Sequence, residues 1–355
     1  MPNLDSLEEI RKFDEKEVLS SIKMLPDQAR QAWEEVSELK IIKNLAGAKN
    51  IVVCGMGGSA LGGRVVDSLI ERKIRAPIEI FTQYYLPNYV NKDSLVILSS
   101  YSGNTEETLS CANEAIKRNA RIFGITTGGK LAELLKKEKV DGYIFEPTYN
   151  PSKMPRLAIG YSVFSILAFL NKTHFITLPK EEMIKAFDVL EEFIKEFGPR
   201  VAEKENLAKR VASKLQNKIP VLVASEHLVG AAHVFKNQLN ESSKTFSNLF
   251  DLPELNHHLM EGLKLPPKAK EVLHFLFFES KLYTDRVFKR YSITQEVVEK
   301  NSVEHSVYSV RSETKPEQVF ELLALSSFVT FYLAVLSGTD PSPIPWVDYF
   351  KAKLK

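Results

Sequence analysis

Residues 95–108 constrain this chain more than any other stretch. Leu95, Val96, Ile97 and Leu98 make a short, continuous apolar run, which suits a strand buried on both faces. Ser99, Ser100, Ser102, Gly103, Asn104 and Thr105 then break the run, and Glu106 and Glu107 open a helical pattern to about residue 117. Strand, hydroxyl-rich turn and acidic helix start predict a βα junction in an open parallel sheet, at the strand end where such sheets bind ligands. Backbone N–H groups at the helix start and clustered hydroxyls can hold a dianion with no metal. The same residue types also cap helices, with Asn104 or Thr105 as the N-cap. A phosphate cradle and a plain serine-rich turn are both open at this point.

A second junction lies upstream. Residues 50–54 read as a short buried strand, followed by Gly55, Met56, Gly57, Gly58, Ser59 and Ala60 and an apolar-periodic helix over residues 65–70. Gly55 and Gly57 fit the first two positions of a dinucleotide glycine loop and Ala60 the third. No acidic residue ends a following strand at the distance a ribose needs, and a lone glycine-rich turn is a weak signal. The glycines let a ligand approach the backbone and Ser59 adds a hydroxyl; tight strand–helix packing is the alternative. Further strands are expected at residues 78–81, 95–99, 121–125 and 143–146, with helices between most of them. The first half is thus expected to be a five-stranded, flavodoxin-like doubly wound domain. Thr126, Thr127, Gly128 and Gly129 form another hydroxyl and glycine turn at a strand end.

Composition removes several classes of function. At 355 residues the chain is long enough for about two domains. Lys plus Arg number 47 and Asp plus Glu 45, so the net basic footprint of a nucleic-acid binder is missing. The two cysteines, Cys54 and Cys111, suggest neither a disulfide framework nor a zinc site. Residues 163–170 and 322–336 are the most apolar, but both contain polar side chains and read as buried helices rather than membrane spans. The acidic N-terminus lacks an apolar signal core, so a cytoplasmic protein is expected.

The second half repeats the rhythm, with strands expected at residues 219–224, 271–279 and 304–310 and helices at 226–240 and 320–336. Between the halves, Arg156 stands at the start of an apolar helix over residues 157–170. An arginine is poorly placed there with respect to the helix dipole, which points to a ligand or carboxylate partner; a surface arginine is the alternative. Glu241 and Lys244 follow Asn240 near a helix end, and His257 and His258 lie in a proline-broken segment. A glutamate suits proton abstraction beside a carbonyl, as in aldose–ketose isomerisation. Adjacent histidines on one segment tend to point apart, and no ligand spacing completes a metal site around them.

The glycine loop at 55–60 and the motif at 99–108 together resemble the sugar isomerase (SIS) domain signature. With Met154, Pro155 and Arg156, Asn240 and Glu241, and residues 255–258, the chain resembles the bifunctional phosphoglucose/phosphomannose isomerases of archaea and some bacteria, from about residue 20 to the C-terminus. The resemblance implies an α/β fold of two flavodoxin-like, doubly wound, parallel-sheet SIS domains with helical extensions at both ends. The expected division is residues 1–48 as N-terminal helices, 49–175 and 176–340 as the SIS domains, and 341–355 as a C-terminal helix completing the site. It also implies a homodimer and a cofactor-free, metal-free interconversion of glucose 6-phosphate or mannose 6-phosphate with fructose 6-phosphate, with no nucleic-acid or membrane partner.

By motif, the resemblance assigns Gly57, Gly58, Ser59, Ser100, Ser102 and Thr105 to substrate and phosphate. Glu241 would move the proton between C1 and C2, and Arg156 would stabilise the cis-enediolate. His257, from the partner subunit, would open the sugar ring with help from Lys351. In this family a threonine about two turns before that lysine is thought to leave room for the C2 epimer. Ile344 holds that position here, Ser342 is the nearest hydroxyl, and Thr339 lies further upstream. Two alternatives remain at this stage, an isomerase of another phosphosugar and a SIS-domain sensor that regulates a partner. Against the sensor stand the acidic N-terminal helices and near-neutral charge, which disfavour DNA contact. An amidotransferase would need an N-terminal nucleophilic cysteine, and residue 2 is proline.

Overall fold

The computed structural model describes residues 2–41 and 44–354. Five strands form the first sheet: β1 (Asn50–Cys54), β2 (Ile78–Phe81), β3 (Ser94–Ser99), β4 (Arg121–Thr126) and β5 (Gly142–Ile144). They pair in parallel in the order β2-β1-β3-β4-β5. β3 is central and buried along its whole length, as its unbroken apolar run requires. Alternate side chains serve two different cores. Ile51, Val53, Leu95, Ile97 and Phe123 face the interior of the molecule, whereas Val52, Cys54, Val96 and Leu98 pack beneath the helices Glu106–Lys117 and Gly129–Lys137.

The second sheet has four parallel strands, β6 (Ile219–Ser225), β7 (Asn248–Leu252), β8 (Leu273–Glu279) and β9 (Glu304–Ser309), in the order β7-β6-β8-β9. The sheets share one winding, in which the first strand of each lies between the second and third. Each therefore has a crevice where the strand order reverses, between β1 and β3 and between β6 and β8. β7 is not predicted by the sequence pattern. It is an edge strand with mostly unburied side chains, so it lacks the apolar alternation that marks a strand.

Helices between the sheets build one continuous core. The helix Lys315–Leu336 lies at its centre and is mostly apolar, and every residue from Pro316 to Val335 is buried inside the molecule. That is the environment of a core helix. It begins five residues before the expected apolar start because Thr314 and Glu317 form a capping box and Pro316 sits in the first turn. The N-terminal helix Leu25–Glu38 packs on the helix Ile159–Lys172. Gln28, fully buried, donates to Tyr149 O at 3.0 Å and Leu157 O at 2.9 Å. Ser21 Oγ donates to Ser152 Oγ at 2.8 Å. These bonds fix the loop that delivers Arg156.

Candidate functional site

The turn after β3 is held open by its own backbone. Gly103 N–H donates to Ser100 O at 3.1 Å, with Gly103 in the left-handed region. The neighbouring turn buttresses it: Thr127 N–H and Oγ1 both donate to Tyr101 O, and Leu131 N–H donates to Gly103 O. Ser100 Oγ and Thr105 Oγ1 lie 2.8 Å apart. Thr105 is the N-cap of the helix Glu106–Lys117, yet its hydroxyl turns to Ser100 instead of capping the helix N–H groups. The first-turn donors are thus left for something else. Ser102 is exposed beside them, its Oγ accepting from Asn104 N–H at 3.3 Å.

The glycine loop leans on this turn. Gly57 has φ +50°, which a side chain would strain, and caps the helix Gly58–Ile70. A Cβ on Gly58 would lie 2.9 Å from Pro155 O, so only glycine allows the loop to meet the turn that carries Arg156. Ser59 is buried and its Oγ accepts from Tyr101 N–H at 3.0 Å. Asn150 Nδ2 donates to Tyr101 Oη at 2.9 Å and to Met154 O at 3.1 Å, joining the same turn to the Arg156 loop. The glycine loop is thus tied through Ser59 and Tyr101 to the turn in which Ser100 and Thr105 pair.

Arg156 lies at the joint between the two halves. It sits in the 3-10 turn Pro155–Leu157, ahead of the helix, and is only 4% exposed. Its Nε donates to Ser242 Oγ at 3.2 Å, and one terminal nitrogen, Nη2, donates to Pro341 O at 2.7 Å and Ser342 O at 2.6 Å. Nη1 makes no hydrogen bond among the described residues. Burial pulls the guanidinium below its ordinary pKa, while the Glu241, Asp340 and Asp348 charges oppose that. Glu241, at the end of the helix Val229–Glu241, is pushed above the usual carboxylate range by burial; Arg156, Lys244, Lys351 and Lys236 counteract. Glu241 and Arg156 act on each other electrostatically without forming a direct ion pair.

Lys351 lies on the exposed C-terminal helix Pro345–Leu354, and its charge reaches Glu241. His257 ends the 3-10 turn Glu254–His257 with its side chain exposed and no side-chain partner among the described residues. It is not part of the cluster that joins Arg156, Ser242 and Glu241. Ser342 is 7% exposed, its Oγ lacks a hydrogen-bond partner among the described residues, and Ile344 beside it is half-buried. Sequence reasoning misses Ser242 and the carbonyls of Pro341 and Ser342 as partners of Arg156. Backbone acceptors 185 residues downstream have no side-chain signature.

The model of the bacterial phospho-glucose isomerase C-terminal SIS domain matches residues 204–354, and that of the SIS domain matches residues 44–135. A bifunctional phosphoglucose/phosphomannose isomerase of Caldicellulosiruptor bescii is 32% identical over 342 residues, 95% of this chain and 98% of that protein. One from Aquifex aeolicus is 31% identical over 324 residues, 91% and 94% of the two chains. Among solved structures, a hypothetical protein from Thermus thermophilus is similar in fold, with a TM-score of 0.76 at 16% identity, covering 98% of this chain and 93% of that one. At 32% identity to a relative over nearly the whole length, the chain belongs to the family of bifunctional phosphoglucose/phosphomannose isomerases.

Proposed function

We propose that this chain interconverts glucose 6-phosphate and mannose 6-phosphate with fructose 6-phosphate, without metal or cofactor, through a cis-enediolate. One observation carries the reading: a buried arginine with an unengaged Nη1 sits on a loop tied to the hydroxyl-lined turn and acts electrostatically on a half-buried glutamate that it does not directly pair with. The phosphate sits on Ser100, Ser102, Thr105 and the helix-start N–H groups, with Gly57, Gly58 and Ser59 against the sugar. Glu241 removes the C2 proton and returns it to C1. Burial raises its basicity toward the range that favours proton transfer at neutral pH. Arg156 Nη1 faces the developing oxyanion as a fixed positive charge. The enediolate is planar at C2, so protonation from either face gives glucose or mannose.

His257 of a second subunit, assisted by Lys351, opens the ring in this reading, which makes the working unit a homodimer. The division into SIS domains at residues 49–175 and 176–340, flanked by residues 1–48 and 341–355, belongs to the same proposal. So do a cytoplasmic location and a place in glycolysis or gluconeogenesis. The test is Glu241→Gln, offered fructose 6-phosphate in D2O with EDTA present. Deuterium exchange at C1 and C2 is expected to disappear while fructose 6-phosphate still binds. Retained exchange defeats the assignment of the base, and activity that needs a divalent ion after chelation defeats the metal-free reaction.

A further inference from the structure

That scheme gives no task to Lys244, a cation beside Glu241. Lys244 lies three residues past Glu241, where the helix Val229–Glu241 unwinds; Ser242 N–H donates to Gln238 O at 2.7 Å and Thr245 N–H returns to Leu239 O at 2.9 Å. Lys244 has φ 55°, a left-handed conformation that glycine usually supplies at a helix end. The turn sends the side chain back over the helix terminus. Nζ donates to Glu241 O at 2.6 Å and to Pro341 O at 3.2 Å. Pro341 O also accepts from Arg156 Nη2 at 2.7 Å, so one carbonyl holds two cations. The segment they grip leads directly into the helix that bears Lys351.

We propose that Lys244 is a positioning residue for the isomerisation: it ties the end of the Glu241 helix to the C-terminal segment, and its charge helps keep the Glu241 carboxylate ionised. This rests on the reading of Glu241 as the base. The groups facing Glu241 are Arg156 from the first half, Lys351 from the C-terminal helix, and Lys244 and Lys236 from its own helix and helix end. Those facing Lys244 are Arg156, Asp340 and Glu241. Burial and the adjacent Arg156 bring the Lys244 ammonium down to about 8, so it still carries its charge at neutral pH. Burial alone favours the protonated, inactive form of Glu241, and each nearby cation opposes it. Removing one cation therefore raises the Glu241 pKa in the free enzyme. The acid limb of kcat/KM then moves to higher pH.

The experiment measures kcat/KM for fructose 6-phosphate against pH for the full chain, wild type, Lys244→Met and Lys244→Arg, alongside Glu241→Gln. In Lys244→Met the acid limb is expected to move up by about 0.5–1 pH unit. At the wild-type midpoint kcat should fall about 10-fold, the scale of a mispositioned and part-protonated base. KM should change far less, and Lys244→Arg should restore the limb. If Lys244→Met does not fold, Lys244→Gln keeps a donor for Pro341 O without the charge, and the same shift is expected. An unmoved acid limb in a folded, uncharged variant overturns the proposal while leaving the Glu241 base intact. Proton exchange surviving in Glu241→Gln removes the base itself and this role with it.

Discussion

The two sheets wind alike but treat their crevices in opposite ways. Behind β3, the Ser100 and Thr105 hydroxyls pair with each other and leave the first turn of the next helix with no side-chain cap. Behind β8, the helix Asp285–Lys300 also has no side-chain cap, but the turn before it is occupied from within. Thr284 N–H and Oγ1 both donate to Glu226 Oε1 at 2.9 Å, and Lys315 lies 3.7 Å from the same carboxylate. Glu226 comes from the end of β6, as the glycine loop comes from the end of β1. Around it, Ser280 Oγ and His227 Nε2 converge on Gln318 Oε1 at 2.6 and 2.8 Å, and Gln318 Nε2 donates to Ser312 O. One fold has thus been used twice. One copy leaves its turn open, and the other sets a carboxylate of its own against the turn.

The contrast can be broken most severely at the joint. Arg156→Ala should lower kcat by about 10²–10³, the loss typical of a missing oxyanion donor, measured in a coupled assay with either aldose phosphate. An unchanged kcat would separate the two halves functionally. The open crevice comes next. Ser100→Ala combined with Thr105→Val should raise KM about 10-fold, through the loss of hydrogen bonds to a charged group, with much less effect on kcat. In the closed crevice, Thr284→Val should leave KM unchanged and cost about 1 kcal/mol of stability in denaturant unfolding. A raised KM there would mean that the second crevice also takes substrate.

Acid should act mainly on the closed side. His227 is buried with Nδ1 unpartnered among the described residues, and burial lowers its pKa from 6.5 to about 4. The folded state holds the neutral ring, so its contribution is complete above the unfolded value of 6.5. It is lost as pH falls from there toward about 4, because the unfolded chain binds the proton first. The full shift corresponds to roughly 3 kcal/mol. His233, also lowered to about 4, adds to the same window. His227→Gln should flatten the decline in melting temperature across it, and an unaltered decline would place the acid sensitivity elsewhere.

Much of the open crevice is legible in the sequence. The apolar run of β3, its hydroxyl turn and the glycine loop are local features, and local patterns report local structure. Glu241 and Arg156 also stand out by residue type. Whether Arg156 reaches the surface or a partner is not legible, because its acceptors are Ser242 and two distant carbonyls. The closed crevice is nearly invisible for a similar reason. Glu226 reads as an ordinary helix start until topology brings Thr284 and Lys315 around it. β7 escapes because an edge strand with exposed side chains carries no period.

The central helix Lys315–Leu336 has a consequence for motion. It contributes to the interior of both halves at once, so no plane divides the molecule into two bodies that could part without exposing that helix to water. A clamshell opening about a waist is thereby expensive, and unfolding of either half should drag the other with it. Entry and exit of a sugar phosphate fall instead to the rim, where Arg156 and Lys244 grip the segment from Pro341 onward by two backbone carbonyls.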